Sequence, residues 1–312
     1  MRTTRRIAAL LLVVPAVVPM LTLAACTGPS ASGARGTNGV IVAVGAENQY
    51  ANVISQIGGR YVQVTAVESN PNTDPHTFEA SPSVAQAVSA ARVVVQNGVG
   101  YDSYMNNIES ASPHASRKVI DVQTLLGLPD STPNPHLWYK PSTMLAVAKA
   151  LAVDLSAIQP AHAAYFQANV TRFDRSLTPW YQALKAFAAR YPKTPVATTE
   201  PVGDYMLEAA GTVNLTPFTL QADIMNGVDP APQAVTQQDS LLSRHLVKVV
   251  VYNQQVTDSL TASFLSAAKN HGIPVVGVYE TMPTGYTYQS WMLAEVTALQ
   301  KAVAHKISTQ KL

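Results

Sequence analysis

Short runs without a polar face recur along this chain, and they set its first reading. Val93-Val94-Val95 and Val249-Val250-Val251 are apolar on both sides, as strands buried between two layers of helix are. The pattern predicts strands at Val40–Val44, Val62–Glu68, Ala91–Gln96, Lys118–Asp121, Pro195–Thr199, Val247–Tyr252 and Pro274–Val278. Between them the apolar spacing is that of helices. Asn48–Ile57 stops at Gly58-Gly59, a glycine C-cap, and Pro82–Ala90 starts behind Ser81 with proline at the first helical position. Strand–helix alternation of this kind predicts an α/β fold with parallel sheets.

The middle of the chain reads differently. From Ser142 to about Arg190 there is no strand signal, only helical composition interrupted once at Gln159-Pro160. Beyond that proline, Ala161–Arg190 repeats apolar residues near helical spacing, including Phe173, Leu177, Trp180, Leu184 and Phe187, with Thr178-Pro179 a place for a kink. Alternation resumes at Pro195. The expected layout is a lobe over residues 40–158, a linking helix over 159–192 and a second lobe over 193–312.

Composition adds exclusions. With 312 residues and 47% apolar content the chain can build a substantial core, and a single cysteine excludes a disulfide framework. The formal charge of +2 is carried by the first six residues: without Arg2, Arg5 and Arg6 there remain 18 bases against 19 acids. A near-neutral chain with no basic run has no electrostatic footprint for nucleic acid.

Those three arginines precede an apolar run from Ile7 to Ala25. Its length approaches the ~20 residues of a membrane span. Pro15, Pro19 and the small residues at 24 and 25 favour an export signal over residues 1–25. Leu23-Ala24-Ala25-Cys26 resembles a bacterial lipobox, which implies diacylation of Cys26 and attachment to the cell membrane on its extracytoplasmic face. Residues 26–39 are rich in Gly and Ser, as a flexible tether is.

Candidate chemistry lies with histidine and glutamate. His76 and His136 each follow a proline and stand two positions after an Asp or Asn (Asp74-Pro75-His76, Asn134-Pro135-His136), so a restricted loop presents each imidazole. On spacing alone, metal ligands and turn histidines both remain open. His114, His162, His245, His271 and His305 sit in polar or helix-end contexts without such a frame. Glu200 and Glu280 follow two strands of the second half, at the strand ends where open parallel sheets bind ligands. Two imidazoles with two carboxylates suit Zn²⁺, Mn²⁺ or Fe²⁺. Gln96-Asn97-Gly98-Val99-Gly100 imitates the start of a dinucleotide fingerprint, but position 103 is Ser, and the segment reads as a turn.

Several stretches together resemble the binding proteins of zinc and manganese ABC importers: Ile57-Gly58-Gly59, Thr73 to Glu79, Val94 to Tyr101, and Asn134 to Trp138. The resemblance spans nearly all of residues 40–305. It implies two Rossmann-like lobes, each a parallel sheet flanked by helices, bridged by one long helix, with metal between them. It implies His76 and His136 as ligands, and Glu200, five positions before Tyr205, as the third; that position is His in most zinc-type members and Glu in manganese-type ones. The fourth is usually an Asp, and the nearest acid here is Glu280. The His-rich loop of zinc receptors is absent, since residues 102–133 hold only His114. The function implied is a monomeric receptor, not an enzyme, that delivers Zn²⁺ or Mn²⁺, with Fe²⁺ a third cargo, to an ABC permease. Competing classes are a metal hydrolase, for which no HExxH pair is present, and an adhesin with a structural metal.

Overall fold

The structure is a computed structural model that describes residues 39–312; the expected export signal, Cys26 and nearly all of the tether lie outside the described residues. No helix among the described residues is long and apolar enough to cross a membrane.

The first lobe runs β1 (Ile41–Glu47), α1 (Asn48–Gly58), β2 (Val62–Glu68), α2 (Pro82–Ala90), β3 (Val93–Gln96), α3 (Tyr104–Ala111), β4 (Lys118–Asp121), α4 (Val122–Leu125) and α5 (Thr143–Ile158). After the long α6 (Ala163–Arg190) come β5 (Pro195–Thr198), α7 (Asp204–Ala209), β6 (Val213–Asn214), α8 (Phe218–Met225), α9 (Pro232–Ser243), β7 (Val249–Asn253), α10 (Ser259–Asn270), β8 (Val275–Val278) and α11 (Tyr288–His305). All strand pairs are parallel, in the orders β2-β1-β3-β4 and β6-β5-β7-β8. Each order reverses direction once, between β1 and β3 and between β5 and β7. At such a point the loops leave the carboxyl ends on opposite faces and open a crevice.

The predicted strands are present with small shifts. β1 extends three residues beyond Val44, because Gly45 and Glu47 keep pairing with Ala66 and Glu68 of β2. Gly45 is required there: a Cβ would stand 2.4 Å from the Ala51 backbone nitrogen of α1. β6 was not predicted; two residues with Val213 42% exposed carry no apolar run to read. Ser81 occupies the N-cap of α2 without capping it, since its hydroxyl pairs with the Ser83 hydroxyl at 2.8 Å.

α6 begins at Ala163 rather than Ala161, because Pro160 to His162 form a 3-10 turn, and it continues through Pro179 to Arg190. Its buried residues Phe166, Val170, Phe173, Leu177, Trp180, Leu184 and Phe187 fall alternately four and three apart, a single stripe on one face. That stripe joins one apolar core running from Ile41, Tyr50 and Trp138 of the first lobe to Val251, Trp291 and Met292 of the second. Burying each such side chain contributes about 1.5–3 kcal/mol, so the helix holds the lobes as one packed body. Polar bonds reinforce this rear contact: Tyr288 Oη donates to the Trp138 carbonyl at 2.7 Å, and Asn48 Nδ2 donates to the Met282 carbonyl at 2.8 Å.

Candidate metal centre

His76 lies beyond the carboxyl end of β2, in the 3-10 turn Pro75–Thr77. Asp74 caps that turn, its carboxylate accepting from the His76 amide at 2.8 Å, as the spacing anticipated. His136 is fully buried and its amide is held the same way by Asn134 Oδ1 at 3.0 Å. Asn134 does more. Its Nδ2 donates to the Pro201 carbonyl at 2.7 Å, which turns Oδ1 toward the His136 ring, 2.8 Å from Nδ1. An oxygen there requires the proton on Nδ1, so in the neutral ring Nε2 is the atom with the lone pair.

Glu280, two residues past β8 and fully buried, collects the site. Its Oε2 lies 3.2 Å from His76 Nε2 and 3.2 Å from His136 Nε2, and accepts from Tyr101 Oη at 2.9 Å. Ligand atoms of His76, His136 and Glu280 all fall within 4.8 Å of one another. Burial opposes charge on His76, but the hydrogen-bonded Glu280 carboxylate outweighs it and raises the ring to about 9. Burial lowers His136 from its ordinary value, and the same carboxylate offsets this only in part. Burial would also raise Glu280; the two imidazoles overcome it and hold the carboxyl well below the usual carboxylate range.

Glu200 lies outside that tight group. It follows β5 by two residues, is 3% exposed, and its Oε2 accepts from Asn253 Nδ2 at 3.1 Å while Oε1 has no partner. Burial and the Glu280 charge raise its carboxyl well above the ordinary value. Asn253, at the end of β7, also donates to Glu280 Oε1 at 2.6 Å, so one amide bridges both acids. Its orientation is fixed because Oδ1 accepts from the Gln255 amide at 3.0 Å. The structure thus brings together three of the four expected residues and holds the fourth one amide away. His114, His162, His245, His271 and His305 are elsewhere; His162 stacks on Tyr61 at 3.8 Å, and His271 is the C-cap of α10. The glycine turn is a turn: Tyr101 donates its amide to the Gly98 carbonyl, and Asp102 accepts from the amides of Asn97 and Gly98.

Tyr101, Asn134, Asn253 and Gln255 were not read from the sequence as site residues. For Asn253 and Gln255 a signal existed, their place at a strand's carboxyl end. Tyr101 and Asn134 had only their neighbourhood to a turn and a histidine.

A cation fits this geometry on a specific ground. Asn134 holds the His136 ring so that Nε2 faces Glu280 Oε2 at 3.2 Å, and the ligand atoms of His76, His136 and Glu280 converge within 4.8 Å of one another. Unprotonated imidazoles and a carboxylate each offer a lone pair to a divalent cation, so the three can share one. Glu200 Oε1, buried and without a hydrogen-bond partner among the described residues, is a further oxygen beside them.

The family model for the periplasmic component A of the zinc-uptake complex matches residues 44–302. This chain belongs to that family. It is 24% identical over 203 residues to the metal ABC transporter substrate-binding lipoprotein FimA of Streptococcus parasanguinis, covering 61% of this chain and 64% of that one. The chain thus spans less than two thirds of the length of the curated relatives it matches. The Mn-bound periplasmic metal binding protein of Candidatus Liberibacter asiaticus superposes with a TM-score of 0.69 at 18% identity, covering 84% of this chain and 99% of that one. FpvC of Pseudomonas aeruginosa in complex with Mn²⁺ superposes with a TM-score of 0.68 at 19% identity, covering 86% and 99%. At these identities the structures share this chain's fold: two parallel sheets with flanking helices and a bridging helix, as expected.

Proposed function

We propose that this protein is an extracytoplasmic receptor that captures Zn²⁺ or Mn²⁺ and delivers it to an ABC permease. The observation that carries the reading is the convergence of His76, His136 and Glu280, whose ligand atoms lie within 4.8 Å of one another with His136 and Glu280 fully buried. The cargo's ligands are His76, His136 and Glu280, with Glu200 completing the set when its carboxylate leaves Asn253. Two neutral imidazoles, two carboxylates and M²⁺ sum to zero charge, which suits a site this deeply buried. Carboxylates are harder than imidazole, so the set tolerates Mn²⁺ better than a three-histidine site, although the general affinity order favours Zn²⁺.

Two features favour a receptor over the hydrolase and adhesin readings. Around the site the polar groups of Tyr101, Asn134 and Asn253 are engaged in holding the candidate ligands. The core continues through both lobes without the site, so no structural metal is required. Attachment through Cys26, the boundaries 40–158, 159–192 and 193–312, and a monomeric state complete the proposal. The test is titration calorimetry of metal-stripped protein with Zn²⁺ and with Mn²⁺. One equivalent bound at submicromolar Kd is expected; binding of neither metal refutes the reading.

A further inference from the structure

His76 differs from the other candidate ligands in how its loop is held. His136, Glu200 and Glu280 are buried and tied into the packed interface between the lobes. The loop over residues 69–79 is braced mainly from within. Asn70 Nδ2 donates to Thr73 Oγ1 at 2.6 Å, Thr77 Oγ1 donates to the Asp74 carbonyl at 2.8 Å, and Phe78 packs on Tyr104 of its own lobe at 4.9 Å. Across the crevice it makes two polar contacts among the described residues. One is His76 with Glu280; the other is Gln255 Nε2 donating to the Thr73 carbonyl at 2.6 Å.

Gln255 is 8% exposed and uses its whole amide. While Nε2 reaches Thr73, and Thr281 Oγ1 at 3.2 Å, Oε1 accepts from the Glu280 amide at 2.7 Å and the Thr281 amide at 2.8 Å. One side chain thus fixes the backbone of Glu280 and, through the opposite end of the same rigid plane, the loop that carries His76. Thr73 and Thr281, the two residues it joins, also line a cavity of about 250 Å³ bounded by Glu68 and Asp74. The joint therefore sits where the loop would part from the second lobe.

We propose that Gln255 is a positioning residue that sets the release rate of the metal: it latches the His76 loop to the Glu280 segment, and cargo leaves when this latch opens rather than when the lobes separate. The inference rests on the metal-receptor reading. The rear contacts, Tyr288 with Trp138 and Gln289 with Gln56, persist through opening because they belong to the packed core around α6.

The experiment compares wild type, Gln255→Met, Gln255→Asn and the remote control Gln289→Met. Stopped-flow chelator competition gives release rates for Mn²⁺ and Zn²⁺, and hydrogen exchange follows the amides of residues 70–79 with and without metal. Gln255→Met should release metal about five- to tenfold faster, the factor that one or two lost hydrogen bonds carry, with the association rate within about twofold. Loop exchange should accelerate while exchange in α6 stays as in wild type. Gln255→Asn keeps both polar groups but is too short to span the crevice, and should behave as Gln255→Met does; it also serves if Gln255→Met does not fold. Gln289→Met should match wild type. Wild-type release and loop exchange in the Gln255 variants overturn the latch. Failure of wild type to bind either metal overturns the receptor reading instead, and loop exchange in the variants then still decides whether Gln255 holds the loop.

Discussion

Replacing Glu280 by Gln tests the electrostatics of the centre most directly. The carboxylate receives His76, Tyr101 and Asn253 and faces His136, all in a fully buried position. Its effect on His76 is measurable without metal. Against burial, Glu280 raises the ring from the ordinary 6.5 to about 9. That difference corresponds to about 3 kcal/mol, and since the His76 side chain is 25% exposed, solvent screening makes about 2 kcal/mol the working figure. The sign follows from the raised value: the contact stabilises the fold fully below about pH 6.5 and is lost as pH rises through about 9. In Glu280→Gln burial is opposed only by the Asp74 and Glu200 carboxyls, the weakest of the raising influences, so the His76 ring should titrate well below 9 by NMR. Metal must displace the His76 proton, so wild-type affinity should rise about tenfold per pH unit up to about pH 9. The variant lacks that competition. It should bind more weakly than wild type, and the gap should widen about a hundredfold between pH 7 and pH 9. A His76 ring still titrating near 9 in the variant, or a pH-independent gap, refutes the argument.

Three further outcomes are expected. His136→Ala should weaken Mn²⁺ and Zn²⁺ binding by at least about a hundredfold in calorimetry, as losing one buried metal ligand or its support does, whereas His114→Ala should match wild type. Glu200→Gln should weaken both metals, and Glu200→His should raise the Zn²⁺/Mn²⁺ affinity ratio; equal affinities in wild type and Glu200→Gln would reduce Glu200 to a partner of Asn253. Glu295, buried in α11 beneath Tyr139 and Trp291, is raised by burial to about 8, so its contribution to stability is present below about pH 4.5 and lost as pH rises through 8. Thermal melting of Glu295→Gln should therefore show a shallower decline over that range, by up to about 1.4 kcal/mol per pH unit, with other buried acids such as Glu68, raised to about 8, and Asp102 and Asp204, raised to about 6, contributing to the decline that remains.

The alternation of apolar strands with helical spacing was enough to specify two parallel sheets, because strands covered on both faces must be apolar throughout and Val93 to Val95 and Val249 to Val251 are. The heptad-like stripe of α6 specified the bridge, since a single apolar face on so long a helix has to be buried along its length. Local chemistry was legible as well: Asp74 and Asn134, two positions before their histidines, cap them as their spacing required. Strand order was not legible, nor was β6, because a two-residue strand has no periodicity. Least legible was the convergence of residues far apart in the chain. Glu280 stands against His76 and His136, 204 and 144 positions earlier, because the two sheets present their carboxyl ends to one crevice. Asn253 and Gln255 acquire their roles only there, one bridging two carboxylates and the other joining two lobes. Residue type sets what each side chain can donate or accept, and only the packing of α6 against both lobes sets which partners come within reach.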